Sequence, residues 1–221
     1  KFDASGATVW QQIYSGPVNQ DLAVDVLMSA DEDAVYAVGR SSVPGFGNSD
    51  YVILKYDATS GSMLWQQFYD GPVGGIDDPR AAAAMPDGGI VVTGGVWNDG
   101  ERQDYGTVRY AADGTLLWDV VYGENGPFLF NDDRGELVAV TADGDVVVSG
   151  TARPATSGND VVTFKYDGLT GAMIWTARYT TSANESVTDL AIAPDGDVVV
   201  FGADPFGIDR QWLTARYDGT D

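Results

Sequence analysis

Acidic residues recur at one position in each of four internal repeats of the 221-residue sequence. They are Asp21, Asp77, Asp133 and Glu185, and each precedes a short apolar run and a tight turn. Carboxylate oxygens are ligands that hard cations such as Ca²⁺ prefer, and a circular arrangement of the repeats would place the four around one mouth of a central channel. A cation ring formed by these four residues is therefore one interpretation of the pattern. The favoured interpretation is that each carboxylate accepts hydrogen bonds from backbone N–H groups of a neighbouring loop and fixes the geometry between repeats.

The side chains that the sequence lacks exclude several classes of enzyme. Cysteine and histidine are both absent, which rules out thiolate nucleophiles, disulfides, zinc–cysteine sites and Ser-His-Asp machinery. Any catalysis would depend on carboxylates, tyrosines, lysines or a borrowed cofactor. Asp25, Glu136 and Asp189 are the acids expected within the innermost strands, and they leave a carboxylate-based lyase or hydrolase as an alternative. Otherwise the sequence predicts no catalytic residue, and no cofactor apart from the candidate Ca²⁺.

The chain carries a large negative charge. Its 33 acidic residues outnumber 12 basic residues, which gives a formal net charge of −21. Such a field disfavours nucleic acid and anionic membrane surfaces as partners, and it favours cations and proteins of basic or neutral character. No apolar run approaches the ~18 residues of a membrane-spanning helix. We therefore expect a partner other than nucleic acid and a chain that does not span a membrane.

Each repeat carries the same series of short β-type segments. A Trp-x-x-x-Tyr motif recurs about every 55 residues, and a valine-rich run ends each time in glycine, at Gly39, Gly94, Gly150 and Gly202. Turn sequences such as Pro86-Asp87-Gly88 separate the segments. The segments are short and rich in β-branched residues, which favours strands over helices. A period near 50 residues is typical of solenoids, propellers and arrays.

Four antiparallel strands in each repeat, arranged radially, are typical of the blade of a β-propeller. The sequence predicts a single all-β propeller domain over 1–221, with four blades at about 21–69, 77–122, 133–179 and 185–217. The last blade has three strands of its own, and residues 8–14 match the missing outermost strand. Pairing of 8–14 with 212–217 would complete sixteen strands and close the ring. The alternative is half of a larger propeller that a second chain completes.

Several motifs resemble those of bacterial β-propeller repeat proteins. Lys165-Tyr166-Asp167 and the run from Ala193 to Val200 are similar to seven-bladed β-propeller-type repeats and delta-60 repeats. The run from Asp57 to Trp65 resembles a quinoprotein-type propeller repeat. The resemblance spans the whole chain and implies blades rather than a particular chemistry. It also implies an exported protein, periplasmic or extracellular, that is often a module of a larger one. Relatives usually have more repeats than the four found here.

Large apolar residues are concentrated in loops that are otherwise polar. In a propeller, the loops that lead into each blade and the loops between its second and third strands emerge on one face. Exposed aromatic clusters usually mark interaction surfaces; the alternative is that these rings fold under their own loops. The candidate partner-binding residues on this face are Phe46, Trp97, Phe128, Leu129, Phe130 and Phe206.

The expected function is that of a non-enzymatic scaffold or protein-binding module. It would dock a protein partner, or join a larger assembly, through the aromatic loop face. A carbohydrate-binding propeller that stacks sugars on Trp97 or Phe46 is the alternative. Trp97 is expected to be largely exposed, whereas burial between blades is expected for Trp10, Trp65, Trp118 and Trp175.

Overall fold

The computed structural model describes residues 1–18, 20–44, 47–98, 103–124, 133–154, 158–181, 184–203 and 211–219. Within these ranges, fifteen strands form four antiparallel sheets, three with four strands and one with three. The described part of the chain has no helix that is long and apolar enough to cross a membrane. The all-β prediction is therefore confirmed, with one strand fewer than the sixteen expected.

Each sheet is built from strands that follow one another along the chain. Sheet 1 contains β1 (Asp21–Met28), β2 (Ala34–Ser42), β3 (Ser49–Asp57) and β4 (Met63–Tyr69). Sheet 2 contains β5 (Asp78–Ala84), β6 (Ile90–Trp97), β7 (Gln103–Tyr110) and β8 (Leu116–Tyr122). Sheet 3 contains β9 (Arg134–Val140), β10 (Val146–Ala152), β11 (Asp160–Tyr166) and β12 (Met173–Tyr179). Sheet 4 contains β13 (Ser186–Ile192), β14 (Val198–Ala203) and β15 (Trp212–Tyr217).

The sheets pack in chain order and converge at their first strands. β1 packs on β5, β5 on β9, and β9 on β13. The middle strands of sheets 2 and 3 are buried along nearly their whole length, because a neighbouring sheet covers each of their faces. Separate apolar cores fill the spaces between successive sheets. Small side chains dominate β5, which lets it lie close to the first strands on both sides.

The glycine that ends each valine-rich run is required by the close approach of two backbones. In sheet 2, Gly94 pairs with Pro79 beside a β-bulge. A Cβ atom at Gly94 would lie 2.2 Å from the backbone oxygen of Asp78, a distance that side-chain carbons do not tolerate. The corresponding distances at Gly39, Gly150 and Gly202 are 2.3, 2.1 and 2.2 Å. Each first strand therefore bulges toward its second strand, and only glycine fits opposite the bulge.

Tryptophans of the fourth strands connect each sheet to the next. The indole N–H of Trp65 donates to the backbone oxygen of Ala112 at 2.9 Å, and that of Trp118 donates to Gly168 at 2.9 Å. Each ring also packs on a tyrosine in the third strand of that next sheet, with 6.3 and 6.4 Å between ring centroids. The predicted burial is confirmed for Trp118, which is 8% exposed. Half-buried positions are found for Trp10, Trp65 and Trp175.

Residues 8–14 occupy the place of a fourth strand in front of sheet 1 but do not form one. The indole N–H of Trp10 donates to the backbone oxygen of Ala58 at 3.0 Å, and its ring centroid lies 6.3 Å from that of Tyr56. These contacts repeat those of Trp65 and Trp118. The backbone of this segment forms an isolated bridge between Thr8 and Phe2, and the backbone oxygen of Trp10 accepts a hydrogen bond from the N-terminal ammonium group of Lys1 at 2.8 Å. The expected sixteenth strand is missing because, among the residues that the structure describes, no third strand pairs with the segment.

The predicted pairing of residues 8–14 with 212–217 is not found among the described residues. β15 (Trp212–Tyr217) pairs with β14 alone and forms the edge of the three-stranded sheet 4. The array of four sheets therefore has two ends in the described structure: sheet 1, with the unpaired segment in front of it, and sheet 4, with an unpaired edge.

Candidate functional sites

The four recurring carboxylates lie where the first strand of each sheet starts. Asp21 is the first residue of β1, whereas Asp77, Asp133 and Glu185 immediately precede β5, β9 and β13. Asp77 accepts hydrogen bonds from the backbone N–H of Gly71 at 2.5 Å and of Trp97 at 2.7 Å. Asp133 accepts the two equivalent hydrogen bonds, from the backbone N–H of Glu124 at 2.6 Å and of Arg153 at 2.7 Å. These bonds hold the loops in front of the first strands, as expected if the carboxylates are structural, and a cation shared by all four stays a prediction. The buried members are Asp77, Asp133 and Glu185, and Asp21 is exposed at the end of the array.

Asp77 also belongs to an acidic cluster that the repeat pattern did not indicate. Carboxylate oxygens of Asp50, Asp70 and Asp77 lie within 4.8 Å of one another, and no other group of three or more acidic side chains does so in the described ranges. Asp50 lies in β3, Asp70 follows β4, and Asp77 precedes β5. Hydrogen bonds of Ser49 with Gly75 and Asp77, both 2.8 Å, bring the start of β5 beside β3.

The cluster concentrates negative charge: two of its carboxylates, Asp50 and Asp77, are buried, and Asp70 is exposed. Asp50 is 7% exposed, and its Oδ1 atom has no hydrogen-bond partner. Burial, together with the charges of Asp70 and Asp77, raises the pKa of Asp50 to about 6. Burial also raises the pKa of Asp77 to about 6, although the two backbone N–H bonds act in the opposite direction. Both shifts show that the ionised forms lack sufficient stabilisation from the surrounding protein.

The equivalent position in sheet 3 has its own positive charge. Asp160 is the counterpart of the buried carboxylate in β3, and it forms an ion pair with Arg178 at 2.7 Å. The hydroxyl of Thr180 donates a second hydrogen bond to it at 2.6 Å. The strand registers place Phe68 and Asp70 of sheet 1 where sheet 3 has this arginine and threonine. At these two positions sheet 1 therefore has the carboxylate of Asp70 where sheet 3 has the hydroxyl of Thr180. It has the apolar ring of Phe68 where sheet 3 has the guanidinium group of Arg178.

Most of the predicted partner-binding residues lie outside the described residues. They are Phe46, Phe128, Leu129, Phe130 and Phe206.

Trp97 is described, and its expected exposure is wrong. It is the last residue of β6 rather than a loop residue, and it is half-buried. Its ring covers Gly75, where a Cβ atom would lie 2.5 Å from the indole Cγ. The ring is therefore partly covered by the loop before β5, and sugar stacking on it stays a prediction.

The side of sheet 1 that points away from sheet 2 is apolar and open. Val26 is 69% exposed, whereas its counterparts Ala82 and Val138 pack into the cores between sheets. A groove of about 610 Å³ lies between this side and the segment that contains Trp10 and Tyr14. We term this surface the N-terminal face, and its exposed members are Leu22, Val26 and Met28.

Sheet 4 is open on the opposite side, which we term the C-terminal face. Its members are Phe201 and Trp212, whose rings meet edge to face at 6.1 Å. Trp212 is 84% exposed, whereas its counterparts Tyr51 and Tyr105 are buried against a tyrosine of their own fourth strands. The described part of sheet 4 has no fourth strand, so nothing covers Trp212 there.

The acidic cluster and the two faces were missed in the sequence for different reasons. An alignment of the fourth strands contains the signal that Asp70 replaces Thr180 and that Phe68 replaces Arg178. The burial of Asp50 has no such signal, because it depends on how β5 approaches β3. The two faces are composed of residues typical of interior strands, and only their position at the ends of the array exposes them.

The comparisons with known proteins identify a fold but no family. No family model matches the chain, and no curated protein matches it. Among solved structures, the β-propeller domain of the Trilobed protease from Pyrococcus furiosus, described as an open velcro topology, matches with a TM-score of 0.52 and 12% identity, over 90% of this chain and 56% of that one. A subtype N11 neuraminidase-like protein of A/flat-faced bat/Peru/033/2010 (H18N11) matches with a TM-score of 0.50 and 10% identity, over 97% and 66%. TolB from Acinetobacter baumannii matches at 18% identity and a TM-score of 0.37, over 86% and 42%.

The chain thus spans 56% and 66% of the length of the first two structures that it matches. At 12% and 10% identity, the likeness concerns the fold alone. Four antiparallel sheets that converge at their first strands agree with that likeness. The protein has a fold of the β-propeller type.

Proposed function

We propose that the chain is a non-enzymatic protein-binding module that joins a second copy of itself through its two ends. The observation that carries this proposal is that the two ends of the array of sheets complement each other. A spare fourth-strand segment, 8–14, lies in front of sheet 1, and in the described part of the chain the third strand of sheet 4 has a free edge. Addition of an extended segment to a free sheet edge is a common mode of protein recognition. In the proposed complex, residues 8–14 of one copy pair with β15 of the other.

The complete sheets suggest the register of this junction. In sheet 1, Tyr51 pairs with Tyr69, and their ring centroids lie 5.7 Å apart. The matching pair at the junction is Trp212 of one copy with Tyr14 of the other. Ile13 is 84% exposed in the single chain, and in the complex it would face the core beside sheet 3. The side chains of Trp212 and Ile13, both largely exposed in the single chain, would therefore be buried at the junction.

The same contact would cover the two open faces. Because the N-terminal face of one copy meets the C-terminal face of the other, the contact is head to tail, and two such contacts can close a ring. A closed ring leaves no free sheet edge, which is the usual protection of β proteins against uncontrolled association. Closure of the ring within one chain, by its own residues 8–14, is the competing arrangement.

The sequence itself supports a non-enzymatic role, because it has neither histidine nor cysteine. Docking of a different protein through the loop face around Phe128 and Phe130 stays a prediction.

Engineered cysteines can test the junction directly, since the natural sequence contains none. The register places Gln12 opposite Thr214, and facing strand residues are close enough for a disulfide. Mild oxidation of the double variant Gln12→Cys/Thr214→Cys should produce covalent dimers on a non-reducing gel. The control is Gln12→Cys/Asp113→Cys, because Asp113 lies in an exposed turn away from the junction, and it should remain largely monomeric.

The position of the disulfide distinguishes a dimer of two copies from a ring closed within one chain. A disulfide within one chain, detected by mass spectrometry of the monomer, would contradict the second copy and favour closure of a single chain. No disulfide of either kind would contradict strand addition at β15 altogether.

A further inference from the structure

We propose that Asp50, Asp70 and Asp77 bind a divalent cation of the Ca²⁺ type at the junction of sheets 1 and 2. This site is distinct from a ring of the four recurring carboxylates, since only Asp77 belongs to both. It is also independent of the association of two copies.

The first argument is that the cluster contains a buried oxygen with no partner. Three carboxylate oxygens lie within 4.8 Å of one another, and like charges at that separation repel strongly where water is excluded. Oδ1 of Asp50 is buried and accepts no hydrogen bond, although buried polar atoms are normally satisfied. A cation between the three carboxylates would remove the repulsion and provide the missing partner in one step.

The second argument comes from the same position in sheet 3. There, Arg178 supplies a positive charge to Asp160 at 2.7 Å, and Thr180 donates a hydrogen bond. In sheet 3 a side chain therefore supplies the positive charge, whereas in sheet 2 the counterpart Asp104 accepts a hydrogen bond from the amide of Asn98 at 2.5 Å. Sheet 1 has Phe68 and Asp70 at the two matching positions, and neither supplies a positive charge there, which a bound cation would.

The arrangement of the ligands suits Ca²⁺. Calcium takes six to eight oxygen ligands in flexible geometry, and carboxylates bind it with one or both oxygens. Backbone N–H bonds from Gly71 and Trp97 hold Asp77 in a fixed orientation. Asp70 is exposed and provides the route by which an ion and its remaining water ligands enter. The absence of nitrogen and sulfur ligands in the cluster disfavours softer transition metals.

Calorimetric titration of the EGTA-treated protein with CaCl₂ would measure the binding. We expect one site per chain for the natural sequence. Asp70→Thr, which introduces the residue type found at the equivalent position of sheet 3, should lower the affinity by about tenfold or more, because one of three carboxylate ligands is lost. Asp143→Thr is the control: it removes one exposed acidic side chain outside the cluster, and it should leave the affinity unchanged. The absence of Ca²⁺ binding by the natural sequence, or equal affinities of the two variants, would overturn the proposal.

A second variant distinguishes a cation site from a structural carboxylate. Asp50→Asn keeps the shape of the side chain and removes its charge. In EGTA this variant should melt at a higher temperature than the natural protein, because the repulsion is reduced. Added Ca²⁺ should raise the melting temperature of the natural protein but not that of the variant, since a ligand stabilises only the state that binds it. A lower melting temperature of Asp50→Asn in EGTA would show that the carboxylate serves the fold alone, and would contradict a cation site.

Discussion

At the scale of single residues, two tryptophans of this chain have opposite environments. Trp118 is 8% exposed, and its indole N–H donates to the backbone oxygen of Gly168 at 2.9 Å. Trp212 is 84% exposed on the edge strand of sheet 4. The first ring fills the space between sheets 2 and 3, whereas the second contacts little besides Phe201. The two side chains should therefore contribute very differently to the stability of the monomer.

We predict that Trp118→Ala lowers the free energy of unfolding by about 3–5 kcal/mol, because it leaves a cavity and removes a hydrogen bond. Trp212→Ala should change it by less than about 0.5 kcal/mol. Urea denaturation of dilute monomer, followed by tyrosine and tryptophan fluorescence, would measure both values. If the two substitutions lower the free energy of unfolding by the same amount, the environments described for Trp118 and Trp212 are incorrect.

The sequence could predict the environment of some of these side chains but not of others. Trp118 belongs to a motif present in every repeat, so its place between sheets follows from the repeat itself. Trp97 is not repeated, and its expected exposure was wrong because its ring, at the end of β6, packs on Gly75 in the loop before β5. The acidic cluster brings together side chains from three separate segments. Its members are Asp50, Asp70 and Asp77, and only folding places them together.

At the scale of the strand, the bulge in each first strand depends on one glycine in the second strand. A Cβ atom at Gly94 would lie 2.2 Å from the backbone oxygen of Asp78, and a backbone atom cannot rotate away as a side chain can. The strand pair would have to separate, or the bulge would have to straighten.

Gly94→Ala should therefore lower the free energy of unfolding by about 1–3 kcal/mol, the cost usually found for overpacking. Gly144→Asn is the control: Gly144 has a φ of 91°, a Cβ atom there would lie no closer than 3.9 Å to a neighbouring atom, and asparagine adopts left-handed backbone more readily than other side chains, so its cost should be smaller. Thermal melts followed by circular dichroism would compare the two. A neutral effect of Gly94→Ala would show that the bulge is not rigid.

The strands themselves were predictable, except at one end. Alternating apolar residues and Pro-Asp-Gly-type turns are local signals, and each repeat contains them, so fifteen strands lie where the repeats indicate. Residues 8–14 carry the same signals. A strand, however, also needs a partner, and whether the third strand of another sheet lies beside this segment depends on how the two ends of the array are arranged. No local pattern contains that information.

At the scale of the whole molecule, the charge makes the proposed association sensitive to salt. Each copy carries a formal net charge of −21, so two copies repel one another over long distances. Raising the ionic strength from about 0.01 M to about 1 M shortens the Debye length from about 30 Å to about 3 Å. We predict that sedimentation experiments show a larger fraction of dimer at high salt. A dimer that dissociates as salt is added would point instead to attraction between oppositely charged patches, and would contradict a junction formed by apolar faces and strand pairing.

Tryptophans of the fourth strands contact the next sheet along the chain, so in the described structure each sheet packs mainly on the sheets that precede and follow it. In such an array the stability is roughly the sum of a contribution from each unit and one from each interface. The two middle sheets have a neighbour on both sides, whereas the two end sheets have one, so local unfolding should begin at the ends. If a second copy binds there, each end gains the interface that it lacks. The protein concentration would then determine how often the end sheets open, and the most easily unfolded parts of the isolated chain would become interior parts of the assembly.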